Sequence, residues 1–537
     1  MNAPVTDSNV ATAWAPLRQP VFRMLWLAWL TANTCMWMND VAAAWAMTAL
    51  TTSPVLIALV QTASSLPVFL LGLPSGAVAD IVDRRRLLMG TQIWIAANAA
   101  VLYAVSALGW LTAPVLLILV VTNGIGLAMR WPVYAAVVPE LVERPLLPTA
   151  LALNAVAMNL SRVVGPLMAG LIIASLGTEY VFALNFVLSV AAAIAVSRWK
   201  RESKPSVLPG ERFLGAMRLG LQYVRESRRM KDALVRISVF FFHSTALLAL
   251  LPLVAKGLAH EGSGARIFTV LLAAMGVGAI ATATQMPRLR AYWTRDHFTL
   301  YGTAVTGLCV ALMAYVPNIW VAVPVMLVTG VAWILVANAV TTAAQLALPD
   351  WVRARGMSMY QMAIMGSSAL GAAVWGHIAD WTSVPTSLAI AGGTAILAAI
   401  LTRGRMLDAK GDEDYTPTRP WDEPVPVIGI EPGDGPVMST TEYLIDPRRA
   451  AEFDAVMGRS RSARLRHGAV SWGLFEDVLN PGRFVEYFAH DSWADYLRRF
   501  DRFTAGDEQL QAERYAFHLG PERPRISRYI ARHPGIR

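Results

Sequence analysis

Asp40, Arg130 and Arg162 are ionisable residues set inside long apolar runs, and their positions raise the first question of chemistry. A charge carried into such a run is costly and usually tied to function. A carboxyl at Asp40 can pass between protonated and ionised as its surroundings change, which is what coupling to protons requires. The alternative is a hydrated Asp40 at the outer edge of its run that only caps it. Arg162, close in sequence to Asn154 and Asn159, could attract an anionic or catechol-like ligand, or pair structurally with a carboxylate. Arg130 ends its run. His243 and His377 are further candidates to carry a proton, although a lone histidine in such a run is more often a hydrogen-bonded structural residue.

A second cluster lies in "PSGAVADIVDRRRLLMG", Pro74 to Gly90, where two aspartates and three consecutive arginines occupy a short gap between apolar runs. Gly76 permits close helix approach, and Asp80 lies within reach of Arg84, Arg85 and Arg86. Cys35 and Cys309 are far apart in sequence and give neither a disulfide framework nor metal spacing, so each is expected to be a buried, inert thiol.

These residues need elements to hold them, and composition says which. The 537 residues are 55% hydrophobic and only 15% charged, with mean hydropathy +0.45. Soluble domains carry about 25% charged residues. Apolar runs of membrane-spanning length fall near 22–48, 54–79, 87–108, 112–131, 147–175 and 180–198. A second set falls near 234–256, 267–286, 297–316, 319–345, 355–380 and 384–402. The expected fold is therefore an all-α membrane protein of twelve helices in two six-helix halves, 15–200 and 232–405.

Net charge is +9 and the pI about 9.7. The basic residues fill alternate connections rather than one patch, which argues for membrane topology and against nucleic acid as a partner. Arg84 to Arg86, Arg144, the 199–233 segment, Arg288 to Arg295, and Arg353 with Arg355 all fall on one side, expected to be cytoplasmic together with both termini. The first twenty residues lack the pattern of a cleaved signal peptide. A shift of about 210 residues lays each span of the first half on one of the second, with Pro139, Glu140 and Val142 falling on Pro349, Asp350 and Val352. Parallel repeats of this kind place a ligand site between the halves.

The Gly76–Arg86 cluster resembles the loop between helices 2 and 3 of the major facilitator superfamily, written G-x-x-x-D-R-x-G-R-R. It departs at Ile81, where a basic residue is usual, and at Asp83, where glycine is usual. The resemblance implies that Gly76, Asp80, Asp83, Arg84, Arg85 and Arg86 form a conformational latch; the competing account is a basic cluster that only anchors the loop. "NTCMWMNDVAAAWAMTALTTSP", "VVPELVERPLLPTALALNAVAMNLSRVVGPLMAGLI" and "PDWVRARGMSMYQMAIMGSSALGAAVWGHIAD" look like the transmembrane secretion effector subgroup, related to the enterobactin exporter. That resemblance implies export of a small molecule (siderophore, drug or secondary metabolite) across a bacterial inner membrane by alternating access, in exchange for protons. Gly165, Pro166 and Gly170 resemble part of the helix 5 antiporter signature, with Val164 and Ala169 where further glycines would be expected. Uptake by the same fold is the rival expectation. No cofactor is expected, and no P-loop pattern indicates drive by ATP.

Residues 201–231 form a central loop whose stretch "FLGAMRLGLQYVRE" reads as an amphipathic helix on the membrane surface, with Phe213, Met217, Leu221 and Val224 on one side. Residues 406–436 are acidic and rich in Pro and Gly, which marks a linker. From 437 to 537 the pattern β-α-β-β-α-β predicts a ferredoxin-like α+β domain. It is similar to the antibiotic-biosynthesis monooxygenase family, whose members dimerise through their sheets. Trp472, Phe475, Tyr487 and His490 are candidates to line a cavity there. The expected role is self-association or sensing rather than catalysis; the alternative is a domain that modifies the cargo.

Overall fold

The computed structural model describes residues 14–143, 146–199, 213–259, 263–408, 414, 416, 418 and 423–532. The first six long helices are α1 (Pro20–Leu50), α2 (Pro54–Ile81), α3 (Arg84–Ala107), α4 (Ala113–Leu141), α5 (Leu147–Ser175) and α6 (Thr178–Arg198). After a shorter helix α7 (Phe213–Glu226) come α8 (Arg228–Gly257), α9 (Gly264–Tyr292), α10 (Arg295–Met313), α11 (Ile319–Leu346), α12 (Asp350–Trp381) and α13 (Val384–Leu401). Ten of them are long and apolar enough to cross a membrane by length and composition. The other two in the series are α1, interrupted by Asn33, Asn39 and Asp40, and α10, which opens on Arg295 and Asp296.

Local chemistry sets the boundaries. Proline stands in the first turn of α1, α2, α4, α5 and α13, where its missing N–H costs nothing. Asp83 accepts from the Arg86 amide and so caps α3, while Thr294 and Ser383 cap α10 and α13. Pro67, Pro166, Pro252, Pro287 and Pro324 lie inside helices, as neighbouring helices in a bundle allow.

Within this bundle α2 packs on α4, α3 on α6, α1 on α5 and α6, and α10 on α13. The halves meet where α5 packs on α9. One close helix approach is reciprocal. A Cβ on Gly278 of α9 would strike the Leu327 carbonyl, and one on Gly330 of α11 would strike the Met275 carbonyl. Further bonds join the halves: Lys256 donates to the Thr48 carbonyl, Ser53 to Asp380 at 3.2 Å, and Thr62 to the Ala369 carbonyl at 2.9 Å.

A second unit gathers α7, the connection from Ala343 to Met357, and the tail from Leu407. The tail contains β1 (Val437–Leu444), α14 (Ala450–Arg466), β2 (Ser471–Glu476), β3 (Arg483–His490), α15 (Trp493–Asp501), α16 (Ala505–Tyr515) and β4 (Arg525–Ile530). The sheet is antiparallel in the order β2-β3-β1-β4, the split arrangement of a ferredoxin-like domain. Ser492 and Thr504 cap α15 and α16, the latter through a capping box with Asp507.

The packed side of α7 differs in part from the expected stripe. Val224 of that stripe is buried together with Leu219 and Tyr223, whereas Leu221 is 52% exposed; the Phe213 side chain lies outside the described residues. Leu219 and Tyr223 are four residues apart and share a face, while Leu221 lies on the far side of the helix. The buried face meets the tail and the Ala343–Met357 connection. Gln222 donates to the Ala469 carbonyl at 2.6 Å, Tyr223 donates to the Ala347 carbonyl at 3.0 Å, and Ser462 donates to Glu226 at 3.0 Å. Arg218 pairs with Asp491, and the Arg502 guanidinium lies 4.9 Å from the Trp351 ring centre.

Candidate functional site: a central cavity

A cavity of about 130 Å³ opens inside the helix bundle. Helix α1 supplies Trp37 and Asp40 to its wall, and α5 supplies Asn159 and Arg162. Each pair is spaced i, i+3, so one turn of helix presents both side chains on one face. Gln61 of α2, Phe268 of α9 and Trp333 of α11 complete the functional part of the lining; most of the remainder is aliphatic.

Asp40 accepts a 2.9 Å hydrogen bond from the Ser64 hydroxyl. It also borders a smaller hollow lined by Ile57, Ser64 and Ala249, so the carboxyl stands in the wall between two spaces. The Arg162 guanidinium lies 5.4 Å from the Trp37 ring centre, a cation–π contact. Its buried Nε has no hydrogen-bond partner among the described residues.

Asp40, Asn159 and Arg162 are thus brought to one cavity, and Pro166 joins them. Asn154 is held elsewhere, accepting from the Tyr134 hydroxyl at 3.3 Å. Gly165 and Gly170 serve close packing. A Cβ on Gly165 would come within 2.6 Å of the Trp37 Cβ, and one on Gly170 within 2.5 Å of Thr269 on α9. His243 and His377 hydrogen-bond within their own helices, with Nδ1 2.7 Å from the Val239 carbonyl and 2.8 Å from the Ala373 carbonyl. Both cysteines are buried and free.

At the α2–α3 turn, Arg84 donates to Glu140 at 2.7 Å and Arg85 to the Ser197 carbonyl at 2.7 Å. These contacts lie within the first six helices. Gly76 and Asp80 are in α2, and their side chains lie outside the described residues.

Sequence reasoning marked Arg130 but not its setting: it is 2% exposed and sits against Trp29, which stacks on Tyr134 at 3.9 Å. The cavity tryptophans, Trp37 and Trp333, also went unmarked; a tryptophan in an apolar run carries no pattern that separates cavity wall from lipid face.

In the tail, the four aromatic and histidine candidates do not share a cavity. Trp472 and His490 point to the helix-covered face, whereas Phe475 and Tyr487 stack on each other at 5.7 Å on the opposite face. Strand alternation separates even from odd positions. The covered face instead centres on Glu486, which accepts from Arg464 at 3.1 Å, Arg514 at 3.1 Å, Trp472 at 3.0 Å, Ser460 at 3.1 Å and Tyr443 at 3.2 Å. Burial alone would push this carboxyl up, but Arg464, Arg514 and these hydrogen bonds together hold it well below the usual carboxylate range. His490 is pushed well below the ordinary histidine value by burial and then by Arg499, Arg502 and Arg464.

Two sets of apolar helices around a central cavity define a membrane transporter of the major facilitator fold. The solved structure of the nucleoside transporter NupG shares that fold, with TM-score 0.57 and 13% identity over 73% of this chain and 100% of its own. The chain belongs to the transmembrane secretion effector family, whose pattern matches residues 11–534 and so extends through the tail. The multidrug efflux pump Tap of Mycolicibacterium fortuitum is 25% identical over 73% of this chain and 98% of its own length. The uncharacterized MFS-type transporter YfiS of Bacillus subtilis (strain 168) is 25% identical over 65% and 84%.

Proposed function

We propose that the protein exports a small molecule across a bacterial inner membrane in exchange for protons, by alternating access of its central cavity. The observation that carries this reading is Asp40, an acid in the cavity wall beside a second hollow. Asp40 takes a proton from one side and yields it to the other as cargo enters. The relation to an efflux pump favours the outward direction. The alternating basic connections support cytoplasmic termini, and the Gly76–Arg86 turn works as a latch that steadies one state.

The tail serves as a docking and self-association module. Its outward sheet face carries Phe475, Tyr487 and the half-exposed Met438 and Tyr529, which would suit a second copy.

Inverted membrane vesicles with an imposed pH gradient test the reading. Wild type should accumulate members of a panel of siderophores and drugs while releasing protons, and Asp40→Asn should lose both. Accumulation unaffected in Asp40→Asn would remove the coupling role, and accumulation in right-side-out vesicles alone would reverse the direction.

A further inference from the structure

The cavity lining contains one acid and one guanidinium, Asp40 and Arg162, among seventeen residues that are otherwise uncharged. Arg162 makes no ion pair or hydrogen bond with a described residue; it lies against the Trp37 ring and near the Tyr360 phenol. The carboxylate accepts from Ser64. The other polar groups of the lining are the amides of Gln61 and Asn159, and the rest is aromatic and aliphatic surface.

We infer that the cavity selects uncharged, ring-bearing molecules, and that Asp40 and Arg162 jointly set this charge selectivity. The inference rests on the proposal that this cavity is the cargo site. With Asp40 ionised the two charges sum to zero, and a cationic or anionic guest would leave one charge uncompensated in a low-dielectric space. A neutral guest with apolar rings matches the aromatic and aliphatic walls and leaves the balance intact.

The test measures equilibrium binding to purified full-length protein in nanodiscs, without any gradient, by fluorescence anisotropy. Three probes share one ring: 7-ethoxycoumarin, its 3-carboxylate, and a derivative bearing a trimethylammoniummethyl group. Wild type should bind the neutral probe about tenfold more tightly than either charged one, and single substitutions should shift the charged-probe ratio by about tenfold or more. Arg162→Gln should shift it toward the cation, Asp40→Asn toward the anion, and Arg162→Lys should leave the wild-type order. Monodisperse elution and an unchanged tail melting temperature confirm folding. Wild type preferring a charged probe, both variants shifting the ratio the same way, or none of the probes binding would each overturn the inference. Because no gradient is applied, a correct selectivity order with failed vesicle export would overturn only the transport reading.

Discussion

Ser64 of α2 donates its hydroxyl hydrogen to the Asp40 carboxylate of α1 at 2.9 Å, so the acid in the cavity wall is held by a neighbouring helix. A hydrogen bond to a charged acceptor contributes about 1.5–3 kcal/mol. Ser64→Ala should therefore lower proton-coupled transport roughly tenfold or more, while Ser64→Thr keeps most of it. Initial rates in energised vesicles decide the matter; equal rates in Ser64→Ala and wild type would show that the bond does not position the acid.

The Arg84–Glu140 pair at the α2–α3 turn is about one quarter exposed on each side. A surface pair of this kind contributes about 0.2–1 kcal/mol to stability, too little to act through folding. If it belongs to a latch, Arg84→Glu should cut transport with little change in melting temperature. Adding Glu140→Arg should restore much of the rate. A double variant no better than either single one would rule out the pairing as the active element.

Gly165 lies against α1, where a new methyl group would press on Trp37 and the Thr34 carbonyl. Overpacking of this sort costs about 1–3 kcal/mol. Gly165→Ala should lower the melting temperature and, by moving Trp37, weaken probe binding more than Gly90→Ala, whose Cβ meets nothing within 4 Å. Identical binding in the two variants would show that Trp37 does not report on α5 packing.

Glu486 and Asp507 give the tail a defined acid limit. For Asp507, burial raises the carboxyl, but His467, Thr504 and Arg466 outweigh it and hold it well below the usual range. Both carboxyls resist protonation when folded, while the unfolded chain takes up protons near ordinary carboxylate values. Tail stability should hold above those values and fall as the pH drops from about 5 toward 3. Glu486→Gln, which leaves two buried arginines short of a charge partner, should cost about 3–5 kcal/mol and flatten that dependence. Hydrogen exchange in β1 and β3 of the full-length protein reads both effects.

The docking of α7 rests on its buried aromatic rather than its exposed ion pair. Tyr223 is 2% exposed, bonds the Ala347 carbonyl and meets Trp351 edge-on at 5.8 Å. Tyr223→Ala should loosen the second unit by about 3–5 kcal/mol. Arg218→Ala removes a half-exposed pair with Asp491 and should cost under about 1 kcal/mol. Limited proteolysis of 409–436 should accelerate in the first variant alone.

Sequence periodicity disclosed what periodicity can carry. The apolar runs anticipated twelve helices to within a few residues at most ends, and the succession of strands and helices in the tail followed from alternation and turns. The acid and guanidinium of the cavity were visible because charge in an apolar run is rare. Their neighbours were not. Trp37 meets Arg162, Trp333 joins them from the other half, and Trp29 stacks on Tyr134, yet each contact joins residues far apart in the chain and leaves no local trace. The same limit hid the face of α7: both of its sides offer apolar residues, and only the docked tail selects Leu219 and Tyr223 over Leu221. It also hid the split of Trp472 and His490 from Phe475 and Tyr487, although counting even and odd strand positions would have exposed it.

The contacts from α7 to the tail bridge 247 residues between Gln222 and Ala469 and 273 between Arg218 and Asp491. At a synthesis rate of roughly 5–20 residues per second, α7 leaves the ribosome tens of seconds before its covering surface exists. During that interval the Leu219–Tyr223 side of the helix is bare, and the bilayer surface is the nearest apolar refuge for it. Trp351 waits in the same way, though for a shorter time. A nascent chain released before its tail is made would thus carry a complete set of spans with sticky aromatic faces left bare, a form that chaperones and membrane proteases can tell apart from the finished molecule.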